Sequence, residues 1–200
     1  MRTRLFAVLA ALVVTLSACG VNSIPTAEEE AKARWADVQA SYQRRANLIP
    51  NRVATVRGAA ASEERILTGV TQARADATRI TVTPDQLTDP AAMQRFAEAQ
   101  SRLSAAIIPL QRLQEAYPNL QSQQNFSTLM QQLEGTENRI NIAVRDYNSA
   151  VQNYNTTIRT FPAVIGAKVI YGSEPMATFQ ATTPNADVAP TVDFGDGNAQ

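Results

Sequence analysis

Apolar side chains recur along this chain at intervals of three, four and seven, the spacing that places them on one face of an α-helix. The first row runs Trp35, Val38, Tyr42, Ala46, Ile49, Val53, Val56, Ala60, Leu67, Val70 and Ala77, thinning near Glu63. Thr26, with Glu29 three residues later, reads as a capping box that starts this helix, and the pattern runs out around Ile80. In the following "TVTPDQLTDP", Thr83-Pro84 and Asp89-Pro90 both read as helix entrances, because proline is harmless at the first helical position. A second helix spans Pro90 to about Tyr117, with Phe96, Leu103, Leu110 and Tyr117 seven residues apart, and Pro118-Asn119 breaks it. The third helix is the most regular. Phe126, Leu133, Ile140, Tyr147, Tyr154 and Phe161 keep a seven-residue repeat, and Met130, Val144, Val151 and Ile158 form a second row. Such a seam packs along partner helices in coiled-coil fashion.

Two prolines fall inside these helices, Pro50 and Pro109. An interior proline removes one backbone hydrogen bond and crowds the carbonyl four residues back, at a cost of ~3 kcal/mol. The row 42, 46, 49, 53, 56 keeps its phase across Pro50, and neither a cap nor a glycine precedes it. The expectation is one long bent helix, with the Ala46 carbonyl freed from its usual partner. Phe161-Pro162 stops the third helix, and "AVIGAKVIYG" reads as a short apolar helix or strand folded back on the bundle. From Ser173 onward Pro, Thr, Asn, Asp and Gly dominate without a Lys or Arg, the composition of a mostly disordered tail with Val192-Asp193-Phe194 docking weakly. Short connections between long amphipathic helices imply antiparallel neighbours. The fold class is therefore all-α, an antiparallel up-and-down bundle of three long helices, or four if the first breaks, with a short C-terminal helix and the tail.

Ahead of the bundle stands "MRTRLFAVLAALVVTLSAC". Arg2 and Arg4 precede an apolar run from Leu5 to about Leu16, shorter than the ~20 residues a spanning helix needs, so it reads as a signal peptide. Leu16-Ser17-Ala18-Cys19 resembles a bacterial lipobox, in which the cysteine thiol is lipidated and the chain is cut before it. Domain boundaries follow: signal peptide 1–18, lipidated tether 19–25, helical bundle 26–172 and tail 173–200. Gly20, where an Asp would favour retention in the inner membrane, tips the expectation toward a lipoprotein of the outer membrane, within a cell envelope facing the periplasm or exterior.

Composition then removes most chemistry. The 200 residues carry 18 Lys+Arg and 18 Asp+Glu, so no basic patch marks a nucleic-acid partner. Histidine is absent and Cys19 is the only thiol, which excludes His-based acid–base catalysis, His-dependent nucleophiles and His-rich metal sites. Glu28-Glu29-Glu30 and Glu63-Glu64 are the only acidic clusters and look solvated; no metal, cofactor or catalytic residue is expected. Arg44, Arg45, Asn47, Pro50, Asn51, Arg52 and Arg57 mark a kink region that reads either as a salt-bridged solvated flank or as a docking face for a protein or anionic headgroups. Gly135, Thr136 and Glu137 place polar groups on core-facing positions of the third seam. Such a break sets register, or meets the Pro50 kink by a hydrogen bond. Asn141, Asn148, Asn153 and Asn155 read as ordinary exposed or edge positions, and the Gln-rich stretch 121–124 as solvated.

"YQRRANLIPNRVATVRG", "EERILTGVTQARADA", "LEGTENRI", "RDYNSAVQNYNTTIRTFP" and the closing "PTVDF" together resemble the LemA family, in order, from about Asn22 to Phe194. The resemblance implies a helical bundle tethered by its N-terminus to a bacterial membrane, with a link in some members to membrane-protein quality control or membrane-organelle formation. Two features depart from the family pattern: a lipobox-like end replaces a spanning helix, and Arg52 and Ala59-Ala60 stand where aliphatic and aromatic residues are commoner. The functional expectation is a non-enzymatic, lipid-anchored envelope scaffold or adaptor for another protein. The alternatives are a structural homo-oligomer and a sensor that binds peptides or unfolded segments.

Overall fold

The computed structural model describes residues 22–59, 63–116 and 124–180, and these form a bundle with no strand among them. Helix α1 runs Ser23–Ala59, α2 Glu64–Arg79, α3 Pro90–Ala116 and α4 Gln124–Thr157. A short α5, Ala163–Gly166, continues as a wide π-turn over Ala167–Tyr171. It closes at Gly172, whose φ of 58° lies in the left-handed region that glycine enters without penalty. Long helix α4 packs most extensively against α1, and the two run antiparallel: Trp35 meets Tyr147, and ten residues further along α1 Arg45 meets Glu137, ten residues earlier on α4. Helices α1 to α4 alternate up and down.

The expected first helix divides in two, and the division falls after Ala59 rather than at Pro50. A continuous helix from 26 to 80 would extend about 80 Å, while the 34 residues of α4 reach only about 50 Å. Its far part would have no partner. Folding back instead sets Leu67, Val70 and Ala77 of α2 against Ile49, Val53 and Val56 of α1. The helix also starts earlier than the capping box suggested. Thr26 lies within the first turn and its hydroxyl donates to the carbonyl of Asn22 at 2.9 Å, so Ser23 to Pro25, expected ahead of the helix, are part of it. Pro25 fits there because first-turn N–H groups have no intrahelical partner.

Both proline entrances form as expected. Gln86 Oε1 accepts the Thr83 N–H at 3.1 Å, the return half of a capping box on the 3₁₀ turn Pro84–Gln86. Asp89 Oδ1 accepts the Ala91 N–H at 2.8 Å at the mouth of α3. Pro109 is accommodated inside α3. The break at Pro118-Asn119 and the weakly docking Val192-Asp193-Phe194 lie outside the described residues.

The interior divides into two hydrophobic segments. One gathers Trp35, Tyr42, Phe96, Tyr147 and Phe179 with aliphatic residues of α1, α3 and α4. The other is aliphatic, built from Ile49, Val53, Val56, Leu67, Val70, Leu103 and Ile107. Helix α2 covers only the aliphatic segment. Around the aromatic one its place is taken by the 80–89 connection, and residues 173–180 lie in the groove between α3 and α4.

Residues 173–180 therefore correct the expectation of disorder from Ser173. Asn155 donates to the Met176 carbonyl at 2.9 Å and accepts the Met176 N–H at 2.9 Å. Asn148 does the same for Phe179, both bonds at 2.8 Å. Two turns of helix separate these asparagines, about 10.5 Å, and three extended residues cover nearly the same distance. That match lets one helix face act as the hydrogen-bonding edge for an extended segment. Tyr147 Oη donates to the Ala177 carbonyl at 2.8 Å, and the Ala177 N–H donates to Leu87 O at 2.8 Å. Asn148 and Asn155 are thus clamps rather than ordinary edge positions.

Candidate functional site

A polar layer separates the two hydrophobic segments, and its centre is Arg45. Ile24, Ala31, Val38, Arg45 and Arg52 form one heptad row on α1, so both arginines project inward, and their side chains are fully buried. On α4 the row Val144, Val151 and Ile158 reaches Glu137 by the same step of seven. The α1 row is interrupted by two charges, Arg45 and Arg52, and the α4 row by one, Glu137, which meets Arg45. Arg45 Nη1 donates to Glu137 Oε1 at 3.0 Å and to Ser104 Oγ at 2.9 Å, while Nη2 donates to Gln100 Oε1 at 3.0 Å and to the Gln100 carbonyl at 3.2 Å. The guanidinium also lies 4.9 Å from the centre of the Tyr42 ring. Arg45 is 2% exposed at its side chain and Glu137 51%, so the pair runs from the core to the rim.

Gln100 passes the connection onward. Its Nε2 donates to the Ala77 carbonyl at 3.3 Å, one of the last-turn carbonyls of α2 that has no intrahelical donor. The freed carbonyl of Ala46 is also supplied. Arg74 Nε, from α2, donates to it at 2.7 Å. The helix continues through Pro50 as the unbroken phase required, and the hydrogen bond that proline removes is replaced by a side chain from the neighbouring helix. The layer ties α1, α2, α3 and α4 together at one level.

This arrangement corrects the reading of the kink region as a surface. Arg45 and Arg52 face inward, so neither belongs to a solvated flank or a docking face. Arg44, Asn47, Pro50, Asn51 and Arg57 are exposed on the outer side of α1. Thr136 is buried and donates to the Gln132 carbonyl at 2.7 Å, while Gly135 faces solvent rather than the core. The polar break of α4 therefore meets Arg45, not the Ala46 carbonyl freed at the Pro50 kink, and it matches the register-setting use of a single polar layer in a helical seam. Cys19 lies outside the described residues.

Burial also shifts titration. Desolvation pushes the Tyr42 phenol up to about 12, with Arg45 opposing and Glu137 adding to the rise. Desolvation lowers Arg52 to about 10 and raises the Tyr147 phenol. Among the described residues no group of three or more His, Cys, Asp or Glu comes together to hold a metal ion. A groove of about 410 Å³ opens beside the layer, between α1, the 80–84 connection and α3, lined by Tyr42, Ala46, Ala77, Phe96 and Gln100. Its far wall is held by Val82, whose carbonyl accepts from Trp35 Nε1 at 3.0 Å and Gln39 Nε2 at 2.8 Å.

The heptad phase of Arg45 and Arg52 was a readable sign of their burial. Arg74, Gln100 and the asparagine clamps gave no such sign, because their partners are backbone groups on elements distant in sequence.

No curated protein matches the chain. The family model for the LemA family matches residues 34–194, beginning beside Trp35 and taking in the whole polar layer and the clamped segment. With most of its length so matched, this chain belongs to the LemA family.

Proposed function

We propose that the protein is a lipid-anchored, non-enzymatic scaffold or adaptor of the bacterial cell envelope, acting in membrane-protein quality control or envelope organisation. The observation that carries this reading is the direction of the polar groups at the centre. Arg45 turns its donors onto Ser104, Glu137 and Gln100, and Arg74 turns Nε onto a backbone carbonyl. These groups join helices to one another, which is the work of a bundle that presents surfaces rather than a reacting centre. Leu16-Ser17-Ala18-Cys19, just ahead of α1, supplies the anchor in this reading. No helix among the described residues is long and apolar enough to cross a membrane.

In-cell crosslinking with mass spectrometry tests the adaptor role. Reproducible crosslinks to another envelope protein are expected. Crosslinks confined to copies of this chain would overturn it in favour of a structural homo-oligomer, which sedimentation would then show directly. Replacing Cys19 with Ser tests the anchor, and release from the membrane fraction is the expected result. A sensor that binds peptides or unfolded segments is the second reading, favoured by the groove beside Tyr42 and Phe96.

A further inference from the structure

Seven large hydrophobic side chains are strongly exposed among the described residues, and five of them fall within eleven consecutive positions: Phe161, Ile165, Val169, Ile170 and Tyr171. Phe161 is 79% exposed and Val169 78%. Meanwhile Ala163 and Ala167 of the same segment are buried in the aromatic core. The wide π-turn is thus held by small residues on its inner side and presents large ones outward. Contiguous exposed apolar surface on a bundle marks a contact site, whereas scattered single residues do not.

The antiparallel register places this patch. Trp35 with Tyr147 and Arg45 with Glu137 set the sequence of levels, and continuing it along both helices brings Tyr154 level with Glu28. Ile24 therefore stands level with Ile158, and both belong to the same core. Residues 161–171 cap the end of the bundle at which α1 begins. Only four residue steps separate Ser23 from Cys19, a contour of at most about 14 Å. From Arg159 to Tyr171 the charged residues are Arg159 and Lys168, both exposed, with no acid between them. Glu174 beyond the turn is exposed too.

We infer that the end of the bundle formed by residues 161–171 sits in the interfacial region of an anionic bilayer, as a second membrane contact beside the lipidated N-terminus. The inference rests on the anchored reading above for its geometry. An acyl chain at Cys19 holds this end within about 14 Å of the surface, where exposed aliphatic and aromatic side chains are drawn below the headgroups. Arg159 and Lys168 then lie at the depth of the phosphates. The consequence is orientation: α1 and α4 stand away from the membrane, and the polar layer is carried at a set height above it.

Depth-dependent quenching tests this on the full chain, purified from membranes and reconstituted into phosphatidylglycerol vesicles brominated on the upper acyl chain. Trp35 is the only native tryptophan and is buried, so it serves as an internal baseline. Val169→Trp and Ile165→Trp add reporters at the patch, and Ala54→Trp adds one on the exposed side of α1, about 45 Å along the helix from Ser23. Both patch reporters are expected to lose about half their added emission or more, as burial ~5–10 Å below the headgroups requires, while Ala54→Trp matches the baseline. Patch reporters quenched no more than Ala54→Trp would overturn the inference. So would a blue shift without quenching, which would mean that protein covers the patch. Mass analysis of residue 19 separates the two claims: an unmodified Cys19 removes the anchored reading, and the quenching ratio still decides the patch.

Discussion

The two hydrophobic segments of the bundle are built on different principles, although one helix, α1, runs through both. The aromatic segment packs its rings with centroids 5.0–6.1 Å apart, at tilted or edge-on angles. Each such pair contributes ~0.5–1.5 kcal/mol beyond its burial. Its missing helix is replaced by connection and tail, so it also needs hydrogen bonds from Trp35, Gln39, Tyr147, Asn148 and Asn155 to backbone groups of those segments. The aliphatic segment has a true fourth helix, α2, and meets its few open carbonyls with Arg74 and Gln100. Irregular backbone can complete a helical core, provided that side chains supply the hydrogen bonds a helix would have satisfied by itself.

Trp35→Ala should do the most to break this comparison. It removes a fully buried ring and the bond to Val82, and a loss of about 4 kcal/mol in urea unfolding is expected. Segment 173–180 should lose amide protection with it, because Phe179 packs on Trp35. Arg45→Ala comes next, at about 3 kcal/mol, since it strands Gln100 at the boundary of the two segments. Glu137→Gln should cost only about 1 kcal/mol, because that carboxylate is half exposed and Arg45 keeps its other partners. Equal losses from the two substitutions would show that the ion pair, rather than the layer, sets the junction.

Alkaline titration separates the segments by sign. The Tyr42 phenol is raised to about 12, so its neutral form belongs to the fold. That stability is complete below pH 10 and falls away as pH climbs from 10 toward 12, by up to about 2 kcal/mol. Arg52 is lowered to about 10, so the fold releases that proton more readily and gains stability across the same range. Urea midpoints measured from pH 9 to 12 should therefore fall less steeply in Tyr42→Phe and more steeply in Arg52→Met. The most local effect is expected from Asn148→Ala or Asn155→Ala. Each removes a paired clamp at about 1 kcal/mol, read as faster hydrogen exchange at residues 176–179 with the helices unchanged. Loss of α4 protection in these variants would mean that the tail is part of the global core.

Much of this was legible in the chain. Heptad rows placed the helices, the proline entrances at Thr83 and Asp89 were right, and the phase across Pro50 foretold both an unbroken helix and a carbonyl in need of a donor. The break after Ala59 was not legible as such, because Ala60 and Leu67 are seven apart and keep the helical row going. The inward arginines were misread, since residue type outweighed their position in the row.

Periodicity and local caps depend on neighbours three or four residues away, so the sequence by itself determined the helices and their buried faces. It also determined the residue classes that leave no histidine chemistry. Only the tertiary structure decided what met those faces: Arg74 on Ala46, Glu137 on Arg45, and an extended tail where a bundle would place a helix. Those pairings join residues 28, 92 and about 30 positions apart. No local pattern encodes such distances, because they are set by the lengths of the helices and by the cost of leaving a buried polar group unmet.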